Sequence, residues 1–115
     1  MIVDNSKVLL FIEPRLRRSA EPVDDFMTLF LQKLLDAAAE NPQARGHVTS
    51  DGQFIRGLST MGRHHCVCKE KSDSCDYEIL PGWYTNSLAD HYLRWHRAEV
   101  PQEELDKITQ MMTLS

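Results

Sequence analysis

The sequence predicts a small α+β domain. A strongly amphipathic helix comes early in the chain, short apolar runs typical of strands occupy the middle, and two further helices are expected near the C-terminus. Because strands and helices do not alternate regularly, this order fits α+β better than a doubly wound α/β sheet. A chain of 115 residues is expected to form one domain with a modest core, over residues 1–115.

The first part of the chain is predicted to contain a strand and the main core helix. Residues 7–13 are rich in Val, Leu, Phe and Ile and are followed by a proline, which is typical of a short buried strand. A helix is expected over residues 22–40, with Pro22 in its first turn and Asn41-Pro42 as its stop. Its apolar residues recur at helical spacing and form one wide stripe: Val23, Met27, Phe30, Leu31, Leu34, Leu35 and Ala38. Packing on the protein's own sheet is the favoured role of this stripe, with contact to a partner as the alternative.

The middle of the chain is predicted to contain a hairpin and one more strand. After a polar linker over residues 41–46, the short runs 47–50 and 53–55 flank Asp51-Gly52, a dipeptide suited to a tight hairpin turn. Residues 77–80 predict a further short strand.

The C-terminal third is predicted to hold a loop and two helices. Pro81-Gly82 turns the chain into a loop with two aromatic residues, over residues 82–86. A helix is expected over residues 88–97, capped by one of the polar residues 85–87. The last helix begins at Pro101 and is expected to present one apolar face: Leu105, Ile108 and Met112.

Composition and charge argue against two classes of protein, general nucleic-acid binders and membrane proteins. A formal net charge of −4 argues against a general nucleic-acid binder, which needs a basic face to displace counterions from phosphates. No apolar run approaches the length that spans a bilayer, and no signal peptide is apparent, so the protein is expected to be cytoplasmic and free of membranes. The basic residues form only local clusters: Arg15, Arg17 and Arg18, and Arg94 with Arg97.

Two closely spaced cysteines and two closely spaced histidines are the most informative feature. Cys66 and Cys68 are followed by His91 and His96, and the whole set lies within residues 64–96. A reducing compartment would keep the thiols reduced, so metal binding is favoured over a disulfide framework. Two thiolates with two imidazoles are typical ligands of one structural zinc ion. The predicted cofactor is therefore zinc, bound by Cys66, Cys68, His91 and His96.

The spacing of the two histidines sets a condition on the helix that carries them. On an ideal helix His96 points inward and His91 lies about 140° away around the axis. We therefore expect the last turn of this helix to be distorted if both imidazoles are to reach one ion.

The cysteine segment offers additional donors. On an extended strand His64, Cys66 and Cys68 would alternate onto one face, which makes His64 a reserve ligand. Cys75, in a polar loop, is a second reserve ligand.

Over residues 64–96 the arrangement resembles a Cys2His2 zinc finger in its ligand types and in taking its histidines from a helix. One residue separates the two thiols here, whereas two to four separate them in the family. The interval between Cys68 and His91 is nearly twice the usual finger loop. The resemblance therefore implies a structural zinc ion, and it does not extend to insertion into the DNA major groove.

The sequence favours a non-catalytic binding module with an unidentified protein partner. One alternative is a metalloenzyme with an open zinc site, for which Asp90 or Glu99 would be the general base. A second alternative is nucleic-acid binding through the arginine clusters. A third is that the thiols and imidazoles are ordinary packing residues without a metal.

Overall fold

The structure is a computed structural model that describes residues 8–49, 52–57, 65–72 and 75–114. Within these residues, three α-helices and a four-stranded antiparallel sheet confirm the predicted α+β class. The helices are α1 (Phe26–Ala39), α2 (Ala89–Trp95) and α3 (Gln102–Leu114). The strands are β1 (Arg45–Val48), β2 (Phe54–Arg56), β3 (Asp76–Leu80) and β4 (Trp83–Thr85), and 3-10 turns cover Pro42–Ala44 and Arg97–Glu99.

The sheet has the order β2-β1-β3-β4. The predicted hairpin is present, because β1 pairs with β2 and places His47 opposite Ile55. On its other edge β1 pairs with β3, where Gly46 lies opposite Asp76. The end of the linker predicted over residues 41–46 is therefore a strand that is hydrogen-bonded on both sides.

The hairpin turn is longer than the predicted two-residue turn. The backbone N–H of Thr49 donates to the carbonyl oxygen of Gln53 at 2.8 Å, so these two described residues close the turn. Gly52 adopts a φ of 87°, the left-handed conformation that three-residue hairpin loops require near their end. Asp51 of the predicted turn lies outside the described residues.

Helix α1 begins four residues later than the helix predicted over residues 22–40. The carboxylate of Asp25 accepts a hydrogen bond from the N–H of Thr28 at 3.1 Å, which makes Asp25 the N-cap. Upstream of Asp25, the N–H of Val23 donates to the carbonyl oxygen of Arg94 at 2.8 Å, so this segment lies beside α2 instead of joining the helix.

The N-cap of α1 is also a contact with the segment after α2. Arg97 donates to both carboxylate oxygens of Asp25, at 2.7 and 2.9 Å. This hydrogen bonding to the guanidinium lowers the pKa of Asp25 to about 2. The Asp25 carboxylate is therefore ionised across the whole neutral range.

The described part of the N-terminal apolar run, residues 8–13, does not form the regular strand predicted over residues 7–13. It makes one parallel bridge beside β4, between Val8 and Tyr84, and Leu9 donates its N–H to the carbonyl oxygen of Tyr84 at 3.1 Å. Leu10 then adopts a φ of 60°, which ends the extended pairing. The run is nevertheless buried, since Leu9 and Leu10 are both fully inaccessible to solvent.

Residues 83–85, predicted as part of a loop, instead form β4. Gly82 adopts a φ of 80°, which reverses the chain after β3 and lets β4 pair antiparallel with it. The two C-terminal helices occur where the sequence predicts them, and the side chain of Asn86 accepts a hydrogen bond from the N–H of Leu88 at 2.9 Å at the start of α2. Helix α3 buries Met111 as well as the predicted Ile108.

The core lies where α1 meets α2 and β3. The predicted stripe of α1 is largely confirmed, since Leu31, Leu35 and Ala38 are buried and the remaining helical members pack partly against the core. Among the described residues, no helix combines the length and apolar character needed to span a bilayer.

Candidate metal centre

The four side chains predicted as metal ligands lie together between the 65–71 segment and α2. The donor atoms of Cys66, Cys68, His91 and His96 all lie within 4.8 Å of one another. Cys66 Sγ is 3.1 Å from His96 Nε2, and Cys68 Sγ is 3.0 Å from His91 Nε2. Neighbouring donors in a tetrahedral zinc site of this composition are separated by about 3.3 to 3.8 Å, given its bond lengths. The four side chains are thus close enough to hold a metal ion.

A tight turn brings the two thiols to the same side, which corrects the predicted extended strand. The carbonyl oxygen of Cys66 accepts from the N–H of Lys69 at 2.9 Å, and the N–H of Cys66 donates to the carbonyl oxygen of Glu70 at 2.8 Å. Lys69 adopts a φ of 77°, so the chain reverses directly after Cys68. The turn explains why thiols separated by a single residue can approach one point.

The histidines converge because α2 ends between them. His96 is the C-cap of α2, with φ −131° and ψ 30°, and so lies outside the helical conformation. On a continuous helix its side chain would point far from His91. The change in backbone conformation brings the two ring centroids to 5.2 Å. The predicted distortion of the last turn is therefore present.

Both imidazoles are held in the neutral form that metals bind. Burial is the main cause that lowers the pKa of His91 to about 4, and repulsion from His96 contributes. The pKa of His96 is also lowered, again mainly by burial. At neutral pH the ring nitrogens that face the thiols can therefore offer lone pairs without first losing a proton.

The two thiols differ in their environments. Burial raises the pKa of the Cys66 thiol. Burial also acts on Cys68, but hydrogen bonds from the N–H of Glu70 and from Cys66, together with the Arg18 guanidinium, outweigh it and lower the Cys68 pKa. Cys68 is consequently the more readily ionised of the two.

A carboxylate lies behind His96. Glu99 Oε2 is 3.8 Å from Nδ1 of His96, and that buried nitrogen has no hydrogen-bond partner among the described residues. The same carboxylate accepts from the backbone N–H groups of Arg15 and Leu16, at 2.8 and 3.1 Å. Glu99 is thus placed to orient a metal-binding imidazole from its far side.

An arginine lies beside Cys68. Arg18 Nη2 is 3.7 Å from Cys68 Sγ and 3.6 Å from the carboxylate of Glu70, and its guanidinium stacks 4.9 Å above the ring of Trp95. Sequence spacing does not predict this neighbour, because Arg18 lies 50 residues before Cys68 and belongs in the sequence only to a basic cluster.

The reserve ligands do not join the cluster in the described part of the chain. Cys75 is half-buried, packs against the core and is absent from the four-residue group. His64 lies outside the described residues. Asp90, a candidate general base, is likewise absent from the group.

Comparison with known proteins finds no relative of this chain. No protein-family model matches it, and neither a curated protein nor a solved structure is significantly similar. The chain's own residues are therefore the guide to its function, and among those described the cluster of two thiols and two imidazoles is the most specific.

Proposed function

We propose that Cys66, Cys68, His91 and His96 bind one zinc ion, and that this ion stabilises a small protein-binding module. The observation that carries the proposal is the convergence of four donors from two segments that are at least 23 residues apart in sequence. Two thiolates and two neutral imidazoles are ligands that suit zinc, whereas magnesium and calcium prefer oxygen ligands.

A structural role is favoured over catalysis. Four protein donors would complete a tetrahedral coordination sphere and leave no position for the water that a catalytic zinc ion activates. Glu99, considered as a general base, faces Nδ1 of His96 and not the Nε2 atom that faces the thiols. Its carboxylate also holds two backbone N–H groups, which suits an orienting role.

The ion would join two parts of the fold that are at least 23 residues apart in the sequence. One part is the turn that carries Cys66 and Cys68, and the other is α2, which packs on α1. A zinc ion there would hold the turn against the core and leave the outer surfaces for a partner. A reducing compartment such as the cytoplasm would keep the thiols available for the metal.

Nucleic-acid binding receives less support, because two of the candidate arginines, Arg94 and Arg97, are engaged within the protein. Arg94 Nε lies 2.6 Å from a carboxylate oxygen of Asp24, and Arg97 makes a two-pronged contact with Asp25. These carboxylates neutralise the charges that would otherwise contact phosphates.

Metal analysis of the purified protein tests the proposal. We expect one zinc per chain, and X-ray absorption should show two sulfur ligands at about 2.3 Å and two nitrogen ligands at about 2.0 to 2.1 Å. Cys68→Ser and His91→Ala, at half-buried ligand positions, should each weaken zinc retention strongly. Cys75→Ser and His65→Ala are the matched controls and should keep the full zinc content. A wild-type protein that stays metal-free after exposure to zinc would refute the proposal.

Glu99→Gln should weaken zinc binding by roughly 10- to 100-fold, because an outer carboxylate orients a ligating imidazole and increases its basicity. The amide keeps the shape of the side chain, so the fold should remain. Competition with a chromophoric chelator measures the change in affinity. Glu103→Gln, on the exposed first turn of α3, is the control and should leave the affinity unchanged. Equal affinities for the Glu99 variant and the wild type would show that this carboxylate does not support His96.

A further inference from the structure

Helix α1 carries a second apolar stripe on its solvent side. Phe26 is 84% exposed and Leu29 is 51% exposed, values that are unusual for two large apolar neighbours. Together with Phe30 and Lys33 they line a notch of about 280 Å³. These four residues, spaced i, i+3, i+4 and i+7, share one face of the helix and are named here the α1 outer stripe.

Three members of the α1 outer stripe, Phe26, Leu29 and Lys33, are exposed, and Phe30 lies at its boundary, where it also packs partly against the core. Successive residues are rotated by about 100°, so Leu35 lies about 180° from Phe26 around the helix axis. Leu31 and Leu35 face the core and are buried. Since α2 and β3 already cover that side, the exposed members of the outer stripe lie outside the core that the described residues form.

We propose that the α1 outer stripe is the interface of a symmetric dimer, in which α1 packs antiparallel against α1 of a second copy. The proposal gives the binding module a partner, and it does not depend on zinc. In a two-fold symmetric interface both copies use the same patch. If one residue contacts a second residue across the axis, the second residue of the first copy must also contact the first residue of the other copy.

The spacing of the stripe satisfies this requirement. In an antiparallel pair the residue numbers of facing positions have a constant sum. In the register where the two numbers add up to 59, Phe26 lies opposite Lys33 and Leu29 lies opposite Phe30. The four residues of the stripe then pair only with one another. Each copy offers the projecting ring of Phe26 and receives its partner's ring beside Leu29, Phe30 and Lys33, which line the notch.

Charge favours the same arrangement. Within the part of the chain that the structure describes, Lys33 is exposed and forms no ion pair. Across the two-fold axis its ammonium would lie over the Phe26 ring, a favourable cation–π position. It would also approach the acidic residues just before that ring, Asp24 and Asp25, which already pair with Arg94 and Arg97 but whose side chains remain 50% and 44% exposed. An attractive contact of this kind occurs twice in a symmetric dimer.

Sedimentation equilibrium over a micromolar concentration series tests the proposal on the full chain. The average mass should rise from 13.3 kDa towards twice that value as concentration increases. Phe26→Ser should weaken dimerisation by about tenfold or more, because an aromatic anchor is lost from the centre of a small interface. Lys33→Glu should weaken it through repulsion by the facing carboxylates, whereas Lys33→Arg should preserve it.

The control variant is Leu114→Ser, which removes a 64% exposed apolar side chain at the end of α3 and should leave the dimer intact. Zinc content measured on the same samples separates this proposal from the metal proposal, because Phe26→Ser should retain its metal. Circular dichroism checks that the variants remain folded, which the exposure of the altered side chains leads us to expect. A wild-type mass that stays monomeric throughout the series, or a dimer that Phe26→Ser leaves unweakened, would overturn the proposal.

Discussion

Chelation of the metal should lower the melting temperature of the wild-type protein by roughly 15 °C. A ligand present at a thousand times its Kd stabilises the native state by about 4 kcal/mol, and a domain of this size loses roughly 4 °C for each kcal/mol. The proposed ion would join Cys66 and His96, which lie 30 residues apart in sequence. Removing it releases the turn from α2 and leaves two buried polar side chains without their partner.

Differential scanning calorimetry before and after chelation, under reducing conditions, measures this effect. The melting temperature should recover when zinc is added back. Cys75→Ser should show the same loss and recovery as the wild type, whereas Cys68→Ser should melt near the chelated wild type and respond little to zinc. A melting temperature that chelation leaves unchanged would show that no ion stabilises this centre.

Gly46→Ala should destabilise the protein by about 3 kcal/mol, at the upper end of the usual range for overpacking a buried site. Gly46 is buried and pairs with strands on both sides. An added Cβ would lie 2.5 Å from the carbonyl oxygen of Ile55 and 2.8 Å from a ring carbon of Phe54. Neither neighbour can retreat easily, because the first is backbone and the second stacks on Tyr84 at 4.5 Å.

Urea unfolding of Gly46→Ala and Gly57→Ala separates crowding from backbone strain. Gly57 has a φ of 81° but nothing within 4 Å of an added Cβ, so its substitution should cost only about 1 kcal/mol. If the two variants lose the same stability, the close approach of β2 to Gly46 does not occur in solution.

Local chemistry was sufficient to predict the helices and the donor set. The end of α1 follows from Asn41-Pro42, since the side chain of Asn41 accepts from the N–H of Gln43 at 3.0 Å and the proline opens a separate 3-10 turn. The four donors were identifiable because two thiols and two imidazoles, each pair close together in sequence, are typical ligands of zinc. Helix geometry also predicted the distortion at His96, because two imidazoles that project 140° apart from an ideal helix cannot both reach one metal ion.

Features set by distant contacts could not be predicted. The sequence around Gly46 predicts a polar linker, because no neighbouring residue indicates that β3 pairs with Gly46 from 30 residues further along the chain. The turn that brings Cys66 and Cys68 together requires a left-handed backbone conformation at Lys69. The sequence does not predict this conformation, because lysine rarely adopts it. Arg18 and Glu99 reach the centre from other elements, so no spacing motif includes them.

The docking of the N-terminal run has a consequence for the order of folding. Leu10 donates its N–H to Glu104, 94 residues later, and the carbonyl oxygen of Val8 accepts from the amine of Lys107, 99 residues later. These contacts close very long loops, which slows folding relative to a protein built from local contacts. During synthesis this apolar segment is made well before α3, and it must wait for α3 before it is covered. Until then Leu9 and Leu10 would be exposed, and a nascent chain stalled before α3 should be the form most prone to aggregate or to recruit a chaperone.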